Sequence, residues 1–303
     1  MLRSSLGAFA ALALSDRSLL AAPLGWGAPG EPSAEDAARL AAWVGTLRGD
    51  GLAAAGVPLG RAAVRVGELA LGSPYVAGTL DAYLKAGGSP VEREPLTLSL
   101  SHFDCVCLVE SCLGVARLAH RAGPPTWEGF GREVERMRYR GGERGSYASR
   151  LHYFSEWMLD NERRGLVRRL GKELGGERDA RPLRFMTSHA SAYPALSDPT
   201  TLTAIGAMER RLDDEPRWVV KTAHIAAVED RLQTGDVLGF ATDIPGLDVS
   251  HSALVYRDAD GVARVLHAPL SGGEVQISRG TLPEYVAGIR HSTGVLVARP
   301  LLG

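Results

Sequence analysis

Cysteine is nearly missing from this chain: 303 residues contain three, all inside SHFDCVCLVESC at 101–112. On one helix Cys105 and Cys112 would lie seven positions apart, about 10 Å along the axis. That exceeds the roughly 7 Å Cα separation a disulfide tolerates, so a bridge between them is excluded and free thiols remain. There is no Cys-x-x-Cys pair, no HExxH and no second close-spaced ligand pair, so the cysteines and histidines lack the spacing of a zinc site. Charge of one sign is also lacking. A formal net charge of -1 gives no global field for holding nucleic acid or an anionic membrane, which leaves a smaller or neutral ligand as the expected partner. Beyond the N-terminal leader no run of about 18 apolar residues occurs, so no membrane-spanning helix is expected. Internal repeats and low-complexity segments are absent too.

With 45% apolar and 23% charged side chains, the chain can bury a real core without staples. The start, MLRSSLGAFAALALSDRSLLAAPLGWG, has an early arginine, a short Ala/Leu run interrupted by Asp16 and Arg17, and small residues that could precede a cut. It predicts a leader over 1–30 and a periplasmic or secreted protein, with a cytoplasmic one left open. Residues 31–303 then form one domain.

Ser33 with Glu35 and Asp36 opens a helix that runs through AARLAAWVGTLR to the glycines at 49 and 51, and GRAAVRVGELAL forms a second. The turn-rich GSPYVAGTLDAYLKAGGSPVEREP is read as irregular, and LTLSLS as a short strand leading into the cysteines. From its N-cap Asp104 to about His120, CVCLVESCLGVARLAH is apolar nearly all round, as a helix buried mid-domain must be. GREVERMRYRGGERGSYASR and the helical YFSEWMLDNERRGLVRRLGKEL, with its basic face, are expected to be solvated surface rather than a ligand-anchoring patch. The last third is different: PRWVVKTA, DVLGFAT, SHSALVYRD, VARVLHAP and GVLVARP are short β-rich segments separated by Gly, Pro and Asp, the pattern of an antiparallel sheet. The fold class is α+β, helices first and sheet second.

Thiol chemistry needs a thiolate, and the unpaired N–H groups and dipole of a helix N-terminus favour one. Cys105, just after Asp104, is best placed for that. Cys107 lies about 200° further round the helix, and Cys112 is two turns in; both read as small buried hydrophobes. A nucleophile also needs a base. Of eight histidines, His251 and His267 sit in segments joined by RDADGVA. A three-residue loop, Ala259 to Gly261 with the glycine left-handed, pairs Asp258 with Val262 and Ala253 with His267. His267 then lies diagonal to His251 on the same face, close enough for one imidazole to orient the other. A four-residue loop would put them on opposite faces. Histidines 102, 120, 152, 189, 224 and 291 read as surface or structural.

LGSPYVAGTLD, FDCVCLVES, RLHYFSEWMLDN, GDVLGFATDIPGLDVSHSALVY and VLHAP, in this order, resemble the N-acetylmuramoyl-L-alanine amidase-like family within the NlpC-type, papain-like peptidoglycan cysteine hydrolases. The resemblance spans roughly residues 64 to 300. It implies a nucleophile-bearing helix packed on an antiparallel sheet or half-barrel, with extra helices N-terminal to it. By matching position, Cys105 corresponds to the nucleophile, His251 to the base and His267 to its orienting partner. Tyr75 corresponds to a cleft tyrosine, and Tyr153, Ser155 and Trp157 fall in the substrate-side segment. One departure is Cys107, where a hydroxyl residue is usual. The implied reaction is hydrolysis of the N-acetylmuramoyl-L-alanine bond of muropeptides through an acyl-enzyme, with no metal or organic cofactor. The alternatives are a γ-D-glutamyl-diamino acid endopeptidase and a muropeptide-binding protein without catalysis.

Overall fold

Ser33 opens the first helix by accepting the Asp36 N–H at 3.0 Å, so the sequence signal for a cap is used as read. This computed structural model describes residues 31–303; the leader expected over 1–30 lies outside them. The helices are α1 (Ala34–Gly49), α2 (Leu59–Leu69), α3 (Ala82–Lys85), α4 (Cys105–His120), α5 (Trp127–Arg138), α6 (Phe154–Arg163), α7 (Phe185–Ser188), α8 (Pro199–Arg211), α9 (Ile225–Val228) and α10 (Leu282–Gly288). The strands are β1 (Val167–Arg169), β2 (Glu177–Asp179), β3 (Arg217–Lys221), β4 (Val237–Thr242), β5 (Val249–Arg257), β6 (Ala263–His267), β7 (Gln276–Ile277) and β8 (Ser292–Pro300). They form an antiparallel sheet in the order β2-β3-β8-β4-β5-β6-β7, with β1 also paired to β8.

Helix α4 is the pivot. Its largely apolar surface meets α1, α2 and α5 and the face of the sheet at β5, and Leu108, Val109, Cys112, Leu113 and Val115 are buried there. Each such aliphatic side chain contributes about 1.5–3 kcal/mol through the surface it removes from water. That sheet face carries Val237, Val249, Leu254, Leu266 and Leu296. The opposite face, with Leu238, Phe240, Ala253, Val255, Val265 and Val297, lies under Leu282 and Val286 of α10. Burial on both faces explains why β4 reads as an unbroken apolar run. A third apolar cluster joins Tyr147 and Tyr153 to Phe185, Met186, Ile205 and Met208 of α7 and α8.

Three expectations are corrected. Residues 96–101 form no strand. The segment from Tyr153 onward is helical only to Arg163, because Gly165 turns with φ +72° and the chain enters β1. The arginine-rich stretch is not all solvated. Arg138 is buried, donating to Glu110 Oε2 at 2.7 Å and to the Thr97 carbonyl at 2.6 Å. Arg150, also buried, donates to Asp81 Oδ1 at 2.5 Å with Glu94 Oε1 at 3.5 Å. Buried guanidinium groups persist only with such partners, since stranding one charge of a buried pair costs about 3–5 kcal/mol.

Candidate active site

Asp104 accepts the Cys107 N–H at 2.7 Å and so fixes the first turn of α4, with Cys105 as its first residue. The strand-like bridge between Tyr75 and Phe103, and the bond from Val76 N–H to the Phe103 carbonyl at 2.9 Å, hold Tyr75 beside this turn. Across it, β5 presents Ser252 next to the Cys105 thiol, with the serine hydroxyl buried and without a hydrogen-bond partner among the described residues.

The β5–β6 hairpin has the three-residue loop: Asp258 N–H donates to the Val262 carbonyl at 3.1 Å, and Gly261 has φ +79°. Leu254 pairs with Leu266 and Val255 with Val265, the register that sets His267 diagonal to His251. Before His251 the pairing with β4 steps from Phe240–His251 to Ala241–Val249, leaving Ser250 as the extra residue of a bulge. The two imidazoles meet, His251 Nε2 to His267 Nδ1, at 2.9 Å. Phe240 stacks on His251 with centroids 5.5 Å apart, and the Tyr285 hydroxyl of α10 lies 3.1 Å from His267 Nδ1.

Cys105 neighbours Ser252, the residue after His251 on β5, but successive strand residues face opposite ways, and His251 and His267 lie with Phe240 and Tyr285 toward α10. No hydrogen bond joins the thiol to His251 among the described residues. Contacts of this kind are often long in unliganded sites and tighten around substrate.

A cavity of about 120 Å³ opens at Cys105. Tyr75, Tyr147, Tyr153 and Phe185 give it aromatic walls, while Arg138 and Arg150 with Glu110 and Asp81 give it a charged floor. An apolar cleft with a few convergent polar groups is the usual form of a ligand site. Tyr75 lines it, and its buried hydroxyl has no partner there. Tyr153 contributes its ring only, since its hydroxyl donates to Glu209 Oε1 at 2.6 Å. Ser155 and Trp157 are not in this cleft, which corrects their expected placement. The Ser155 N–H caps onto Asp248 at 2.7 Å, and Trp157, 1% exposed, stacks on Phe154 in the core and donates to Glu110 at 3.2 Å. Missed by sequence reasoning were Ser252, Tyr285 and the buried arginines. Tyr285 had a usable signal, because Thr281-Leu-Pro-Glu284 forms the capping box that starts α10.

Electrostatics also differ from expectation. Burial pushes the Cys105 thiol up to about 12, and the Asp104 carboxylate adds to the shift, overriding the benefit of the helix start. Burial likewise lowers His267 to about 4; His251 lies well below its ordinary value through burial and then through His267. The resting site is thus a thiol and two neutral imidazoles. Because His267 titrates at about 6.5 when unfolded and about 4 when folded, its contribution to stability is complete above pH 6.5 and lost as pH falls toward 4. It amounts to roughly 3 kcal/mol. Urea unfolding at pH 7 and pH 4 should show this loss in the wild type and a smaller one in His267→Gln; equal losses would sink the assignment. The comparison with the variant removes the carboxyl groups that titrate in the same window. Among the described residues no group of three or more His, Cys, Asp or Glu is arranged to hold a metal ion, and no helix is long and apolar enough to cross a membrane.

A family model described as AmiA-like, N-acetylmuramoyl-L-alanine amidase-like, matches residues 65–294. Two crystal structures of an N-acetylmuramoyl-L-alanine amidase from Bacteroides uniformis ATCC 8492, at 1.07 and 1.15 Å resolution, superpose with TM-scores of 0.72 and 0.71. Their sequences are 26% and 25% identical, over 80% of this chain and 99% and 98% of theirs. A protein from Legionella pneumophila shares the fold at 16% identity, with a TM-score of 0.61 over 88% of this chain and 95% of that one. No curated protein is similar enough to match.

Proposed function

The chain belongs to the AmiA-like, N-acetylmuramoyl-L-alanine amidase-like family, and on that premise we propose that it is a cysteine amidase with an NlpC-type, papain-like core. Its substrate is the bond between the lactyl group of N-acetylmuramic acid and L-alanine in peptidoglycan fragments. The observation that carries this reading is the His251–His267 contact at 2.9 Å on β5 and β6, with Cys105 at the start of α4 beside Ser252, the next residue of β5.

His251 Nε2 is engaged by His267, so Nδ1 is the nitrogen left to act as base. The Cys105 proton passes to it as the sulfur bonds to the lactyl carbonyl carbon. The resulting oxyanion is received by N–H groups at the first turn of α4, where negative charge is favoured. The C–N bond breaks as His251 returns the proton to the alanine nitrogen, and water then hydrolyses the thioester. Because the resting thiol is protonated, proton transfer and attack are coupled rather than preceded by a standing thiolate. The aromatic walls of the cleft suit the peptide stem. An exported location, suggested by the leader, belongs to the same reading.

The test is product identity. Incubation with a defined muramyl peptide, read by mass spectrometry, should give an intact peptide with a free L-alanine amine and free N-acetylmuramic acid. Cleavage after D-glutamate would replace the reading by the endopeptidase one, and binding without cleavage by that of an inactive binder.

A further inference from the structure

We propose that Tyr285, on α10, is a positioning residue that holds His267, and through it His251, in the tautomer the base requires. The inference rests on the assignment of His251 as base.

The argument counts protons at one nitrogen. His267 Nδ1 faces two groups, His251 Nε2 at 2.9 Å and the Tyr285 hydroxyl at 3.1 Å. The other ring nitrogen, Nε2, is buried without a partner. Both imidazoles are neutral, so each carries one proton, and two arrangements are available. In the first, His267 Nδ1 is bare and accepts from both His251 Nε2–H and the Tyr285 O–H. His251 Nδ1 is then bare, ready to take a proton, and only the His267 Nε2–H goes unpaired. In the second, His267 Nδ1–H donates to His251 Nε2, which moves the His251 proton to Nδ1 and disables it as base. The Tyr285 O–H, which has no other acceptor among the described residues, is then stranded along with the bare His267 Nε2.

The hydroxyl decides between them, since an unpaired buried donor is costly. Without it, the first arrangement strands an N–H and the second only an acceptor lone pair, and orphaned buried N–H groups are the rarer kind. Removing the hydroxyl tilts the pair toward the disabled form. The phenol is suited to act as the fixed donor, because burial and the nearby Cys105 both oppose its ionisation. Its ring is held in T-shaped contact with His267, centroids 4.9 Å apart, and lies 5.6 Å from Phe240.

Tyr285→Phe keeps the ring and its packing and removes only the hydroxyl. It is expected to lower kcat about 10- to 100-fold with KM changed less than about threefold. In a His267→Ala background the same substitution should add nothing, because Tyr285 acts through His267. The direct readout is ¹⁵N NMR of the imidazoles. Wild type should show His251 protonated on Nε2, and Tyr285→Phe should move that proton toward Nδ1. A wild type already protonated on Nδ1, an unchanged tautomer in the variant, or an unchanged kcat would each overturn the proposal. The NMR measurement needs no turnover, so it separates failure of this inference from failure of the amidase reading, which product analysis decides.

Discussion

Cys105→Ala is expected to reduce turnover of a muramyl peptide by at least about 10⁴-fold, since loss of a nucleophile removes the covalent route and leaves only binding and the oxyanion site. Peptide affinity, measured by calorimetry, should change by no more than a few-fold, because Cys105 is one small lining residue beside the larger aromatic walls of Tyr75, Tyr147, Tyr153 and Phe185. Cys107→Ala and Cys112→Ala serve as internal controls. Cys112 is fully buried among α4's apolar neighbours, and neither sulfur belongs to a residue lining the cleft. Both variants should keep activity within about tenfold of wild type. The assignment fails if Cys105→Ala retains comparable activity, or if Cys107→Ala is the one that abolishes it. The raised thiol pKa adds a second check. Alkylation of Cys105 by iodoacetamide in the free protein should be slow at neutral pH and accelerate toward high pH, the reverse of a site with a standing thiolate.

What could be read from the sequence was whatever local chemistry decides. Ser33 and Asp104 each cap a helix through their own side chains, and Asp104 could be found from three residues of context. The β5–β6 register followed from a single glycine after Asp-Ala-Asp, and that register alone brings His251 to His267. Long-range consequences were not legible. Arg138 and Arg150 look like members of a solvated charge run. What buries them is the arrival of Glu110, Asp81 and Glu94 from other parts of the chain. Trp157 sits in a segment that resembles a substrate-side motif, but one turn of α6 past the cleft-lining Tyr153 and Phe154 is enough to put it in the core.

The same division explains the misjudged thiol. A helix start favours negative charge, and that part of the reasoning is local. The desolvation of Cys105 depends on how closely Tyr75, Ser252 and the sheet pack around it, which no window of sequence contains. Where the two compete, burial prevails. A site with a protonated nucleophile places the whole demand for activation on its base.

His251→Gln should therefore be nearly as damaging as loss of the cysteine, about 10³- to 10⁴-fold in kcat. Glutamine retains a hydrogen-bonding group toward His267 but cannot carry a proton from sulfur to the leaving nitrogen. His267→Asn should cost less, about 10- to 100-fold, because its amide oxygen can still accept from His251 Nε2–H and so preserve the working tautomer. The ranking is the informative part. If His267→Asn were the more severe, the base would have to be His267 and the contact at 2.9 Å would run in the other direction. Dependence of kcat/KM on pH separates these cases further. With His251 well below its ordinary pKa, the acid limb of the wild-type profile should lie below the range of an ordinary histidine. His267→Asn removes the neighbouring imidazole that helps depress His251, so that limb should move up. Burial, the larger cause, stays in place and keeps the shift small. An acid limb that moves down in His267→Asn, or does not move at all, would contradict the role given to each histidine.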